Sequence, residues 1–363
     1  MQDTGHILVI NPGSTSTKLA IYRFDISSQS LDVLRDTTLH HSEHELRQSG
    51  QVIDQFDLRL NAVNGFLDSF EIALDLIMAR SAPLYPMPGG VYEVNQTMIH
   101  DLKSARFANH ASNLAALIGR AIAIKVNCPV YIADPITTDE FDPVARVSGV
   151  PGFERKSRSH ALNIKASGRK LCQKLGIDFT QSRWVVCHMG GGISVAALDN
   201  GRIIDVNDAL LGMGPFSPER SGALPISVIL DLAYSDEFTR KELEIKLSTE
   251  SGLRGYLGTS DLKEVEDLIQ SNNELAIQVF DAMVYQIAKE IAAMSSVLLH
   301  KFEGVILTGG MAHSAMLCND ISKRIHPDMP IHVLAGENEL EALAEAGLSV
   351  IQNKEALQEY CSP

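Results

Sequence analysis

Residues 184–206 read WVVCHMGGGISVAALDNGRIIDV. An apolar run, Trp184–Met189, meets three consecutive glycines and resumes as ISVAAL at 193–198; Asp199-Asn200-Gly201 then leads into RIIDV. Asn and Gly tolerate the positive φ that a tight type I′ turn demands, so the stretch predicts an antiparallel strand meander. The chain opens on the same plan: ILVI at 7–10, a polar loop, LAIYRF at 19–24, then turn residues and further short strands. Two halves that start alike predict a duplication.

Working outward, each opening is followed by helical periodicity and another strand. NHASNLAALIGRAIAIKV (109–126) precedes PVYIAD (129–134), and residues 273–300 precede GVILTGG (304–310). Strands alternating with helices predict mixed sheets flanked by helices, hence an α/β protein of two duplicated domains with a central cleft. A length of 363 residues suits two cores. The expected domains are 1–158 and 159–339, with a C-terminal helix, 340–363, joining the first; the helical pattern itself runs from Glu339 to Gln358. In the long helix, Ile277, Phe280, Val284, Ile287, Ile291, Met294 and Leu298 form an apolar stripe that belongs to a core, with a subunit interface as the alternative.

A net charge of −14 opposes non-specific attraction to nucleic acid or anionic membranes, so an anionic ligand must be captured by local positive groups. The N-terminal MQDTGHILVINPG lacks the pattern of a signal or transit peptide, and residues 275–300 carry Gln278, Asp281, Gln286, Lys289 and Glu290, too polar for a span. Five scattered cysteines without a C-x-x-C signal neither a disulfide framework nor a zinc cage. A cytoplasmic, globular protein is expected, without nucleic-acid or membrane partners.

Two turns offer chemistry. Asn11-Pro12-Gly13-Ser14-Thr15-Ser16-Thr17-Lys18 places four hydroxyls, a glycine and a cation between two apolar strands, where backbone N–H groups, Ser14, Ser16 and Lys18 suit an anion such as phosphate. It lacks the second glycine of a Walker A loop. Gly190-Gly191-Gly192 falls at the equivalent place in the second half; such a costly run implies close approach of a ligand or of other backbone. Facing one another across a cleft, the two turns would favour a nucleotide. Gly309-Gly310 ends a strand before a helix and presents bare backbone in the same way.

INPGSTSTK, ADPITTDEFDPVARVSG, ERKSRSHALN, VVCHMGGGISVAALDNGRIIDV, PERSGALP and ILTGGMAHS, spread in order over most of the chain, resemble the motifs of the butyrate kinase branch of the acetate kinase family. The resemblance implies a duplicated actin-like (ribonuclease H-like) fold. It implies Mg²⁺- and ATP-dependent, reversible phosphorylation of a short-chain carboxylate to an acyl phosphate, with ADP as the other product, and a homo-oligomer. By motif, Asn11, Ser14, Ser16 and Lys18 match the first phosphate loop, Gly190, Gly191 and Gly192 the second, and Gly309 and Gly310 the adenosine-side loop. Arg80 and Arg220 match the active-site arginines, and His160 and His188 the histidines near the transferring phosphoryl. Asp134 matches the acidic residue of the central motif and, with Asn11 and Glu339, the metal set. His110 and Asn113 fall in a family-like HASN segment that also reads as a helix start, and Lys263 stands loosely where relatives carry an arginine. Arg80-Ser81-Ala82-Pro83 and Arg158-Ser159 depart from the family's Arg-Gly-Gly and Ile-Phe, which bears on the acid preferred. Acetate or propionate kinase, and a non-catalytic actin-like nucleotide-binding module, are the alternatives.

Overall fold

Backbone pairing in the computed structural model, which describes residues 3–47, 51–69 and 72–363, begins with the expected meander. Strands β1 (Thr4–Pro12), β2 (Ser16–Asp25) and β3 (Ser30–His40) are antiparallel neighbours. β4 (Leu76–Ala79) lies parallel to β1, and β6 (Val130–Ala133) parallel to β4; β5 (Val91–Glu93) runs antiparallel to β6. The second half repeats the plan. β7 (Arg183–Met189), β8 (Ile193–Asp199) and β9 (Arg202–Val206) form the meander; β10 (Gly304–Gly309) is parallel to β7, and β11 (Ile331–Ala335) parallel to β10. Asn200 and Gly201 have φ of 51° and 79°, the conformation their sequence calls for between β8 and β9. Even the irregularity is duplicated, with register shifts at Ile21/Tyr22 and at Ala197/Leu198.

Among the described residues one sheet has the order β12-β5-β6-β4-β1-β2-β3, β12 being Leu357–Gln358, and the other β11-β10-β7-β8-β9. In the second sheet both faces are covered, so β7 runs apolar from Trp184 to Cys187 instead of alternating, with His188 the buried polar exception. Val185, Cys187 and Met189 join the core under helix 274–297, whereas Trp184 and Val186 join the one under helix 161–175.

The chain divides into two compact units, Met1–Thr138 with Asn338–Pro363, and Asp139–Glu337. The break falls earlier than the 158/159 expected from sequence. Phe141 and Ala145 pack in the core of helix 161–175, and Arg155 is paired to Asp205 of β9, so residues 139–158 go with the second unit. One element end and one buried face also differ from expectation. The C-terminal helix stops at Ile351; a turn with Asn353 at φ 54° precedes β12, whose pairing with β5 outweighs the helical pattern. In helix 274–297, Ile277 is 42% exposed, and Ala276, Val279 and Met283 share the buried face with Phe280 and Val284. All five cysteines are free, and no described helix is long and apolar enough to cross a membrane.

Candidate active site

In the first unit the turn between β1 and β2 is closed by Gly13 N–H donating to Ser16 O at 2.8 Å. Ser14 and Lys18 are exposed, and Lys18 is the register partner of Asn11. Beneath the turn lies a residue the sequence reading missed. Arg59, fully buried on helix 56–67, donates to Ser14 O (2.9 Å), Ser16 O (3.0 Å), Thr17 Oγ1 (3.1 Å) and Gln55 Oε1 (3.0 and 3.1 Å). His41 adds its N–H to Thr15 O and its ring Nε2 to Thr17 Oγ1 at 2.9 Å. A planar fork with every donor used sets the turn's shape more rigidly than hydroxyls alone would. Nothing in the sequence separates Arg59 from a surface arginine.

Asn11, Arg80 and Glu339 form one cluster. The parallel β1/β4 register, extended by Arg80 N–H to Ile10 O at 2.9 Å, sets Arg80 beside the end of β1. Arg80 Nη1 donates to Asn11 Oδ1 (3.1 Å) and to the Glu339 carboxylate (3.0 Å), and Asn11 Nδ2 donates to Glu339 Oε2 (2.7 Å). Glu339 opens helix 339–351, which packs on β1 and β4, so it is far more than an exposed helix-start acid. Asp134 directly follows β6 with φ 37°, a costly conformation for a non-glycine residue. Its Oδ1 accepts Gly90 N–H at 2.8 Å, and its own N–H donates to Gly90 O at 3.0 Å. After Arg80, Ser81 Oγ donates to Ala133 O at 2.7 Å while Ala82 is buried. In the HASN segment Asn113 Nδ2 donates to Ala108 O at 2.6 Å and His110 Nδ1 meets Ser112 Oγ at 2.8 Å, a local fastening of the helix start.

The second unit pairs its histidines. His188, on β7 under helix 161–175, stacks on His160 with ring centroids 3.9 Å apart and planes 15° apart. Asn163 Nδ2 donates to Glu337 O at 3.0 Å, so its Oδ1 is the acceptor for His188 Nδ1 at 2.8 Å. This bond leaves His188 Nε2 on the side of the Glu337 carboxylate, 3.8 Å away. His160 Nδ1 lies 2.9 Å from Ser194 Oγ. Asn163 stands in the quoted ERKSRSHALN, one helical turn after His160, a spacing that could have marked it.

Each glycine of the second loop makes room for something. A Cβ on Gly190 would fall 2.9 Å from Glu337 Oε1 and 3.2 Å from His188 Nε2, and one on Gly191 3.3 Å from Glu219 Oε2. On Gly192 it would overlap the Arg220 guanidinium. Ser217 Oγ ties this turn to the arginine loop, donating to Gly191 O at 2.6 Å and accepting Arg220 N–H at 3.2 Å. Arg220 Nη1 donates to Ala209 O, and burial holds the guanidinium below its ordinary pKa, opposed by Glu219 and Asp208. Arg158 is paired with Asp208, and Ala209 N–H donates to Arg158 O at 3.0 Å, so this departure from the family pattern braces the loop that receives Arg220. Gly309 has φ 90° and lies so close to the Met189 backbone that any Cβ would overlap it; Gly310 faces open space. Lys263 follows Asp261, whose side chain caps its N–H at 2.9 Å at the start of helix 262–270.

The family match covers residues 155–359, and its description is Acetokinase family. The chain belongs to this family. It is thereby a phosphotransferase with a carboxyl group as acceptor, a carboxylate kinase, and ATP is its phosphoryl donor. A "Probable butyrate kinase" of Listeria monocytogenes serotype 4b (strain CLIP80459) is 42% identical over 357 residues, 98% of this chain and 99% of that protein. Among solved structures, Porphyromonas gingivalis acetate kinase is similar with a TM-score of 0.75 at 18% identity, over 96% of this chain and 100% of that one. A propionate kinase from Francisella tularensis subsp. tularensis SCHU S4 gives 0.72 at 18% identity, over 94% and 98%. These likenesses establish the fold, the duplicated actin-like arrangement of mixed sheets flanked by helices that the motifs implied.

Proposed function

We propose that the protein reversibly transfers the γ-phosphoryl group of ATP to butyrate or a similar short-chain acid. The observation that carries this reading is the Asn11–Arg80–Glu339 cluster: a guanidinium held by one amide and one carboxylate is poised to accept the carboxylate of an incoming acid. The relative named probable butyrate kinase, alike over nearly the whole chain, supports a four-carbon acid.

At neutral pH a short-chain acid is already ionised, so no general base is required. One carboxylate oxygen attacks the γ-phosphorus in line; that bond forms as the bond from phosphorus to the bridging oxygen breaks, and the electron pair leaves on ADP. Arg80 orients the acid. Arg220, still cationic despite burial, and the ring nitrogens of His160 and His188 offset charge on the transferring group. Ser14, Ser16, Lys18 and Gly190 to Gly192 serve the phosphates, and Gly309 with Gly310 the adenosine side.

Asn11, Asp134 and Glu339 offer hard oxygen donors of the kind Mg²⁺ prefers. Among the described residues no three His, Cys, Asp or Glu side chains form a metal cage, so a Mg²⁺ held here would need water and substrate phosphate oxygens to complete its ligands. When bound, Mg²⁺ supplies neutralisation of the β- and γ-phosphates. The compartment is the cytoplasm, in keeping with five free thiols. The assembly is a homo-oligomer, favoured by the exposed apolar Ile226, Ile229, Leu230 and Tyr234 on and after helix 226–233.

Hydroxamate trapping with ATP, Mg²⁺ and straight-chain acids of two to five carbons tests the reading. The largest kcat/KM is expected for butyrate, with Arg80→Ala raising the acid KM and Arg220→Ala lowering kcat by about a hundredfold or more. A maximum at acetate or propionate would reassign the acid, and ATP binding without acyl phosphate from any acid would reduce the protein to a nucleotide-binding module.

A further inference from the structure

The segment after helix 339–351 returns to the region around Arg80. Once β12 has paired with the β5 edge, Gln358 Nε2 donates to Gly89 O at 3.0 Å. Tyr360, 1% exposed, accepts Tyr85 N–H on its hydroxyl at 3.1 Å and donates that hydroxyl to Asp101 Oδ2 at 2.9 Å. The tail is itself anchored: Asn95 Nδ2 donates to Tyr360 O (2.8 Å), Ser362 Oγ to Asp101 Oδ2 (2.6 Å) and Arg106 Nη2 to Pro363 O (2.7 Å).

Tyr85 and Gly89 belong to the loop 81–90. It starts directly after Arg80 and ends at Gly90, whose backbone exchanges two hydrogen bonds with Asp134. Pro83, Pro86 and Pro88 have no N–H to give, so the loop has few donors with which to hold itself and takes its shape from groups around it. Gly90, at φ 131°, lies where a Cβ would overlap Gln358 Nε2, so the approach of the tail is built into the loop.

We propose that Tyr360 and Gln358 are positioning residues of the acid-binding end of the reaction, pinning the loop that joins Arg80 to the backbone partner of Asp134. With Glu339 gripping Arg80 from the start of the same C-terminal segment, residues 339–363 act as a strap across both ends of that loop. The inference rests on the roles of Arg80 and Asp134 given under the proposed function.

Tyr360→Phe deletes the hydroxyl and keeps the buried ring; Gln358→Ala removes the second tie. In the full chain each is expected to raise the acid KM by about two- to tenfold, the worth of one hydrogen bond, with the ATP KM changed less than about twofold. Amide exchange at residues 84–90, followed by mass spectrometry, is expected to quicken. Wild-type exchange there together with a wild-type acid KM overturns the proposal. So does a lowered thermal midpoint with both KM values raised in parallel, which a merely structural tail would give. Should Tyr360→Phe not fold, Gln358→Ala decides alone. The two readings fail differently: an acid KM indifferent to Arg80→Gln sinks the role of Arg80. An acid KM that responds to Arg80→Gln but to neither tail variant sinks the strap.

Discussion

Five glycines that look interchangeable in sequence have different tasks at the scale of the residue. Gly192 accommodates the Arg220 side chain, Gly309 a backbone, and Gly310 nothing. Gly192→Ala should therefore push the guanidinium off Ala209 O and lower kcat by about tenfold or more, with a change in unfolding free energy of at most about 1 kcal/mol. Gly309→Ala, forced into φ 90° against the Met189 carbonyl, should cost about 3 kcal/mol or more, whereas Gly310→Ala should be close to neutral in stability. Urea titrations and kcat for the three variants check this; equal effects would contradict the division. The sequence marked all three positions as close approaches because glycine is costly to order. What approaches each one is set by residues distant in the chain.

Elements show where local pattern yields to packing. Residues 339–358 carry one helical periodicity, yet the helix ends at Ile351 because the sheet edge offers Leu357 and Gln358 hydrogen bonds that a further turn could not match. Helix 56–67 illustrates the converse. It packs Val63 and the half-buried Phe56, Leu60, Phe66 and Leu67 against the first core, and yet its buried Arg59 also shapes the turn between β1 and β2. Arg59→Lys cannot reproduce the fork, and its unmatched carbonyls should cost about 2–4 kcal/mol. The ATP KM should rise with little change in the acid KM; steady-state kinetics with each substrate varied, beside thermal denaturation, measure both. A lysine variant with wild-type stability and ATP KM would show that the hydroxyls alone suffice.

Across the molecule the two units should answer pH in opposite senses. In the first, burial and then Arg59 hold His41 below its ordinary 6.5. Above that value the ring is neutral folded or unfolded; as pH falls below it, the unfolded chain takes up a proton that the folded chain refuses, and stability is lost. In the second, burial and then Asp205 raise Glu290 above its ordinary 4.5. Its contribution is present below that value and lost as pH rises to the folded value, so acidification restores it. The lone tryptophan, Trp184, is fully buried in the second unit and reports on it. As pH falls from above 6.5 toward 4.5 the urea midpoint from its fluorescence should rise relative to that from far-UV circular dichroism, and His41→Asn should shrink the gap. Midpoints that move together would refute the assignment.

The duplicated meanders, the turn at Asn200-Gly201 and the family were all legible in the chain, because strand period, positive φ and glycine runs are local properties that residues carry wherever they stand. The 138/139 division, the buried fork of Arg59, the stacking of His160 on His188 and the grip of Glu339 and Tyr360 on the Arg80 loop were decided by tertiary structure alone. Each depends on groups from separate segments meeting at hydrogen-bonding or stacking distance, and no local pattern encodes which distant partner a side chain will find.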